Sequence, residues 1–379
     1  MVQEITTKSW GSRIAGAFFG ILIGIILIIA SFVLIFWNEG NGLHTAQSLQ
    51  QTQQVLIAVP ISPIDKNNNL KVVYFSGLAT TNETLHDPLL GLTEKAIKLD
   101  REVTMYQWKQ DTETKTEKDM GGSEREIKTY SYTEVWSEHL INSSEFKEQE
   151  GHKNPTSMPI KSLHDQAKKV TVGDFSLSNE LISKIDGSTS IDLSKIDITP
   201  LKTKLNKPVQ QDESTIYVGD DSQSPKIGDL KISESEVLPQ DVSIIAQQTD
   251  HTLQPYFAPA GQSVILLEMR QISSSQMIHN AAVENQMMTW LLRLVSLIMM
   301  IIGIGLLMQP LVVIADVIPF IGTIVGFGTG AISFLLGLIL WAIGTAIAWF
   351  TVRPLWAIGL IVIVIVICYL VFRSKKAKA

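Results

Sequence analysis

Apolar and polar positions divide the chain into three unequal parts. From Ile14 to Trp37 there is no charge, and the central run reads GAFFGILIGIILIIASFVLIFW. At ~1.5 Å rise per residue this is long enough for a hydrocarbon core of ~30 Å. A cleaved signal peptide would have a shorter apolar region, ending in small residues. Here the run closes on Phe36-Trp37-Asn38-Glu39, an aromatic interface anchor followed by polar residues, so it reads as a retained span. A second apolar block begins near Trp290. It divides into spans at 288–314, 320–350 and 355–372, separated by Gln309-Pro310 with Asp316 to Pro319, and by Thr351-Val352-Arg353-Pro354. Proline and charge together break membrane helices. The stretch Leu311–Thr323 is apolar enough to be either a loop or a re-entrant segment.

Between these blocks, periodicity changes from long apolar runs to short β-type alternation. Lys71–Gly77, Glu102–Lys109 and Ile127–Trp136 are rich in Val, Thr, Tyr and Trp and predict strands. The charged stretch Gln110–Arg125, with Gly121-Gly122, predicts a long hairpin with a solvated tip. Further strands are expected at Thr215–Gly219, Ile227–Val237, Val242–Gln248 and Ser263–Arg270. Helical stretches are expected at Ser162–Lys169 and Ser178–Lys184, and from Ser273 into the second span. The expected fold is therefore a multi-pass α-helical membrane protein with four transmembrane helices and a large mainly-β (α+β) extracytoplasmic domain. Its parts are 1–13, a first span 14–37, the domain 38–287, three more spans, and a basic tail 373–379.

Charge fixes the expected orientation. Lys8 and Arg13 precede the first span, and Arg373, Lys375, Lys376 and Lys378 follow the last. Basic residues flank the cytoplasmic ends of spans, so both termini read as cytoplasmic, which requires an even number of crossings. All but two of the 37 acidic residues lie in the middle segment, whereas eight of the 31 basic residues lie outside it. An acidic domain repels phosphates and argues against nucleic acid as a partner. Arg293, Asp316 and Arg353 all lie near span ends, so no charge is forced to the bilayer centre, as a transporter or proton relay would need.

Candidate chemistry is sparse. The single cysteine, Cys368, lies in an apolar run, so neither an intrachain disulfide nor a thiolate zinc site can form. None of the seven histidines has metal-ligand spacing, and there is no nucleophile elbow, phosphate loop or dinucleotide fingerprint. No catalytic, cofactor-binding or metal-binding residue is assigned. Two features stand out. Gly16, Gly20 and Gly24 in the first span, and Gly322, Gly326 and Gly330 in the third, recur every four residues, so each trio predicts a close-packing helix face. Such a face serves either the chain's own bundle or self-association. Gly151-His152-Lys153-Asn154-Pro155 reads as a polar turn, or as a partner-binding loop. A catalytic base at His152, near Glu145 or Glu148, is the basis of an alternative reading: a membrane-anchored enzyme acting at the lumenal or periplasmic face. Asn82-Glu83-Thr84 and Asn142-Ser143-Ser144 match the glycosylation sequon and matter only in an endoplasmic reticulum lumen.

An ordered series of short motifs runs along nearly the whole chain: Asn38-Glu39-Gly40; Met105-Tyr106-Gln107-Trp108; Tyr130-Ser131-Tyr132 with Trp136; Ile141-Asn142-Ser143 with Phe146; Gly151 to Pro155 with Met158; Gly228-Asp229-Leu230; and Arg353-Pro354-Leu355-Trp356-Ala357. By these the chain resembles the transmembrane protein 43 (LUMA) family. The resemblance implies four spans, cytosolic ends, a lumenal domain, and a non-enzymatic scaffold role. In eukaryotes it implies the endoplasmic reticulum and inner nuclear membrane, organisation of the nuclear envelope, self-association, and partners such as emerin and lamins. In a bacterium it implies the inner membrane. The bilayer itself is the one partner common to every case.

Overall fold

A computed structural model describes residues 2–350 together with 358, 359, 362, 363, 365 and 366. Three described helices are long and apolar enough to cross a membrane: α1 (Trp10–Val55), α4 (Ser274–Ala315) and α5 (Pro319–Phe350). Two short helices, α2 (Asn179–Lys184) and α3 (Thr199–Leu205), lie in the middle domain. The fourth expected span, 355–372, falls largely outside the described residues.

The long helices α1 and α4 start where the sequence supplies a cap. Ser9 Oγ accepts from Ser12 N at the start of α1, and Ser273 Oγ accepts from Gln276 N at the start of α4. Both helices are longer than the hydropathy alone suggested. The continuation of α1 through Asn38–Val55, expected to belong to the β domain, is helical and runs into that domain. Pro310 does not break α4, which continues to Ala315. The break is confined to Asp316–Ile318, and Pro319 opens α5, so Leu311–Thr323 is helix, turn and helix.

The middle domain is mainly β, in two principal sheets. One carries β3 (Lys98–Lys118) between β4 (Glu124–Ser137) and β5 (Leu230–Val237). The other is built on β2 (Val72–Thr81) antiparallel to β6 (Gln240–Thr249), with Phe75 opposite Ile244. Strict alternation explains β3. Leu99, Arg101, Val103, Met105 and Gln107 are buried, while the residues between them face outward. Leu99 and Val237 meet Val73, Phe75 and Ile244 in the shared core. A separate cluster of Leu49, Val72, Ile245, Met277 and Ile278 fastens α1 and α4 to this domain. Ser162–Lys169, expected to be helical, instead holds a strand at Leu163–Gln166 that pairs with Lys98–Arg101. The open edge of β3 outweighs local helix preference there. Ser178 caps α2 as the helical expectation requires.

The hairpin of β3 and β4 departs from expectation at its tip. The strands persist through the charged stretch, to Lys118 and from Glu124. The tip is docked at the far end of the helices. Gly122 sits against the indole of Trp10, Gly121 N donates to Val317 O, and Lys118 Nζ lies 2.7 Å from Asp316 Oδ1. Arg13 Nη2 contacts the other oxygen of Asp316 at 2.5 Å. Val2–Lys8 forms a strand, β1, that pairs with Glu124–Tyr130 of β4. Residues 1–13 and 38–287, placed on opposite membrane faces by the sequence reading, are thus joined in one sheet. From Met105 to Lys118 the ribbon extends ~43 Å at the strand rise. From Trp10 to Asn38, α1 extends ~42 Å at the helical rise. The ribbon therefore runs the full length of the span while carrying Lys109, Asp111, Glu113, Lys115 and Glu117. Hydrocarbon admits neither such charges nor an open sheet edge, so this pairing and a bilayer enclosing the helices exclude each other.

Candidate functional site at the domain end of the bundle

Where the helices meet the domain, α1, α4 and α5 bring together groups far apart in sequence. Glu39 follows the apolar run of α1, and Arg293 lies one turn into that of α4. Their side chains form a two-pronged ion pair: Arg293 Nε donates to Glu39 Oε1 at 2.5 Å, and Nη2 donates to Oε2 at 2.7 Å. Trp349 Nε1, from the last turn of α5, also donates to Glu39 Oε2 at 2.6 Å. The guanidinium lies over two rings, 4.6 Å from the Trp290 centroid and 5.1 Å from that of Trp349. Both charged residues are 6% exposed. Charges survive such burial only when paired and hydrogen-bonded, and the parallel donors of arginine suit a carboxylate.

Beside this pair lies a cavity of about 380 Å³, lined by Glu39, Gly42, Asn285, Gln286, Arg293 and Trp349 among others. Its walls are fixed by polar contacts between α1 and α4: Asn38 Nδ2 donates to Thr289 O at 3.0 Å, and Asn285 Nδ2 donates to Gly42 O at 2.9 Å. Trp37 and Trp290 are 57% and 54% exposed at this level, as residues of an aromatic belt are.

The glycines do not act as two uniform faces. Gly24 packs backbone to backbone against α4: a Cβ there would lie 2.6 Å from Gly303 O. At Gly20 it would meet Gln309 at 3.2 Å, whereas at Gly16 it would meet no described residue within 4 Å. Gly322 packs onto Asp316 in the α4–α5 turn, Gly326 stands in ordinary contact with Val312, and Gly330 meets no described residue within 4 Å. Glycines outside the expected trio also pack α5 on its neighbours, Gly337 against Ile301 and Gly344 against Phe32.

The Gly151–Pro155 loop is pinned to β3. Asn154 Oδ1 accepts from Trp108 N at 2.7 Å and its Nδ2 donates to Trp108 O at 2.8 Å, so one amide side chain pairs the open strand edge as another strand would. His152 is stacked on Tyr132, with ring centroids 3.9 Å apart, and meets Trp108 edge-on at 4.8 Å. Its Nδ1 lies 3.2 Å from the backbone oxygen of Glu148, not from the carboxylate of Glu145 or Glu148. Gly151, at φ +80°, and Lys153 are exposed. No cluster of three or more His, Cys, Asp or Glu among the described residues could hold a metal.

Sequence reasoning placed Glu39 and Arg293 at the ends of their spans without joining them. The available signal was two opposite charges at matching depths on antiparallel helices.

The family model described as Transmembrane protein 43 matches residues 105–354, which takes in the ribbon, the pinned loop, Arg293 and Trp349. The chain belongs to the transmembrane protein 43 family. Human Transmembrane protein 43 is 31% identical over 371 residues, covering 94% of this chain and 91% of the human protein. The mouse protein is 31% identical over 349 residues, covering 89% and 86%. The Drosophila melanogaster homologue is 26% identical over 292 residues, covering 75% of each chain. No solved structure matches. Family membership and the three apolar helices make this an integral membrane protein with a large mainly-β domain.

Proposed function

We propose that this member of the transmembrane protein 43 family is a non-enzymatic scaffold that organises protein complexes within its membrane. The observation that carries the reading is the continuity of α1 and α4. Helices of 46 and 42 residues run unbroken from the apolar bundle into the domain. The buried cluster of Leu49, Met277 and Ile278 locks them to the second sheet. The domain is therefore a platform held rigidly at a fixed height above the bilayer, as a scaffold requires, and not a module on a flexible tether.

In the same reading the chain crosses four times with both ends cytoplasmic, and the domain faces the lumen or periplasm. In a eukaryote the membrane is that of the endoplasmic reticulum and inner nuclear envelope, and the partners are membrane or nuclear-envelope proteins. Gly16 and Gly330, which meet no described residue within 4 Å, are the members of the two trios offered to a second copy. The test is proximity labelling from the middle domain in the native host. A reproducible set of membrane-protein neighbours is expected. Labelling no richer than that of an unrelated anchored domain of equal abundance would overturn the reading.

A further inference from the structure

We propose that the cavity beside Glu39 and Arg293 binds the headgroup of a zwitterionic phospholipid carrying a primary ammonium, with the acyl chains lying on the apolar surface of α4.

Three observations meet here. The first is depth. The cavity lies where the apolar runs of α1 and α4 end, at the level of the exposed Trp37 and Trp290, which is the headgroup level of a surrounding bilayer. The second is unused hydrogen-bonding capacity in a built site. Arg293 spends Nε and Nη2 on Glu39, and its Nη1 donates to no described residue although the side chain lines the cavity. Asn285 donates through Nδ2, but its Oδ1 accepts nothing among the described residues. A guanidinium nitrogen that opens onto the cavity and meets no acceptor among the described residues suits an oxyanion, because charge-assisted hydrogen bonds are the strong ones.

The third observation is charge balance. Glu39 cancels the charge of Arg293, so a purely anionic ligand gains little net attraction and meets the Glu39 carboxylate directly. A zwitterion offers its phosphate to Arg293 Nη1 and its ammonium to Glu39 and Asn285 Oδ1, matching the site charge for charge. A volume of about 380 Å³ holds a headgroup and glycerol but not the acyl chains. From the cavity towards the bilayer, α4 presents Leu291, Leu294 and Ile298, exposed by 53%, 53% and 47%, as a surface for those chains. A primary ammonium donates three hydrogen bonds in a small volume. A trimethylated one donates none and is larger, so the site discriminates between the two common zwitterions.

The test uses the full-length chain in nanodiscs whose bulk lipid is phosphatidylcholine, doped with brominated phosphatidylethanolamine or brominated phosphatidylglycerol. Trp290 and Trp349 beside the cavity report occupancy through bromine quenching. Native mass spectrometry of the detergent-extracted protein reports what stays bound. Expected is half-maximal quenching at a mole fraction of phosphatidylethanolamine at least tenfold below that of phosphatidylglycerol, and one lipid retained per chain. Ala46→Phe and Ala282→Phe fill the cavity without touching the ion pair, and each abolishes the retained lipid. Arg293→Lys keeps the charge, removes Nη1, and weakens retention at least tenfold. Circular dichroism on all three variants confirms that the helices remain. Equal quenching by the two lipids would mean annular lipid only. That result, or lipid retention unchanged in both cavity-filling variants, overturns the proposal. Soluble glycerophosphoethanolamine is the remaining arm. If it alone displaces the lipid at micromolar concentration, the site serves a free metabolite and the membrane assignment fails.

Discussion

Glu39 and Arg293 close an ion pair across α1 and α4, with both carboxylate oxygens engaged and the guanidinium held between Trp290 and Trp349. The pair ties the two longest helices at the level where the bundle gives way to the domain. Removing one partner leaves an uncompensated buried charge, which costs roughly 3–5 kcal/mol. Glu39→Leu and Arg293→Leu are each expected to lower the thermal midpoint of the detergent-solubilised protein strongly. The double variant should recover much of the loss, because no lone charge remains. A double variant as unstable as the sum of the two single variants would show that the residues act independently.

The contact between Gly24 and Gly303 yields a second prediction. A Cβ at position 24 would lie 2.6 Å from Gly303 O, so a larger residue must push α1 and α4 apart, whereas one at Gly16 meets no described residue within 4 Å. Gly24→Val should destabilise the bundle by at least ~2 kcal/mol, in the range of overpacked cores. Gly16→Val should be tolerated within ~0.5 kcal/mol. The check is the thermal midpoint of both variants in one detergent. Equal losses at the two positions would contradict the arrangement of α1 on α4.

These two sites show how far the sequence could be read. Three apolar helices, the β character of the middle and most strand centres were legible because they follow from local periodicity: the alternation of Leu99, Val103 and Met105 is visible without a partner. Three things were not. The helical continuation of α1 through Asn38–Val55 is polar, and it is held by Leu49 packing on Met277, more than two hundred residues away. The strand at Leu163–Gln166 exists because β3 offers an edge. Asn154 looked like a turn residue, and its role of pairing the Trp108 backbone depends on which strand passes by. Four-residue glycine spacing singled out Gly24 and Gly16 alike. It could not tell the two apart, because the pattern marks a face without saying what the face meets.

Glu234 gives the domain a pH dependence with a definite sign. It is 2% exposed on β5, opposite Arg101 of β3. Burial, reinforced by the Asp87 carboxylate, pushes its acid up from an ordinary 4.5 to about 9. The folded protein therefore keeps a proton that the unfolded chain loses above pH ~4.5. Unfolding releases that proton, so stability is full at acidic pH. It declines as pH rises from about 4.5 towards about 9, by at most ~1.4 kcal/mol per pH unit, and is flat beyond. Glu234→Gln removes this slope. The variant should match the parent near pH 5 and exceed it near pH 8 in thermal midpoint. A gap between the two proteins that stays constant from pH 5 to pH 9 would rule out this account of Glu234.

The amino-terminal strand poses the sharpest question about membrane topology. Thr6 of β1 stands opposite Glu126 of β4, and Asp316 is pinned by both Arg13 and Lys118. Every one of these contacts requires the ribbon tip and the far ends of the helices to be in one compartment. The ribbon that would carry the tip there is charged throughout its length, and lipid excludes it. In an inserted chain the tip must therefore leave Asp316, which keeps Arg13 on its own side of the membrane. Thr6→Cys with Glu126→Cys, in a Cys368→Ala background, reads this directly. Under oxidising conditions in sealed native vesicles the pair should stay unlinked, and a membrane-impermeant thiol reagent should reach only one of the two cysteines from outside. Efficient disulfide formation in those vesicles would place β1 and the domain on one face. The positive-inside assignment of residues 1–13 would then have to be abandoned, however well Lys8 and Arg13 fit it.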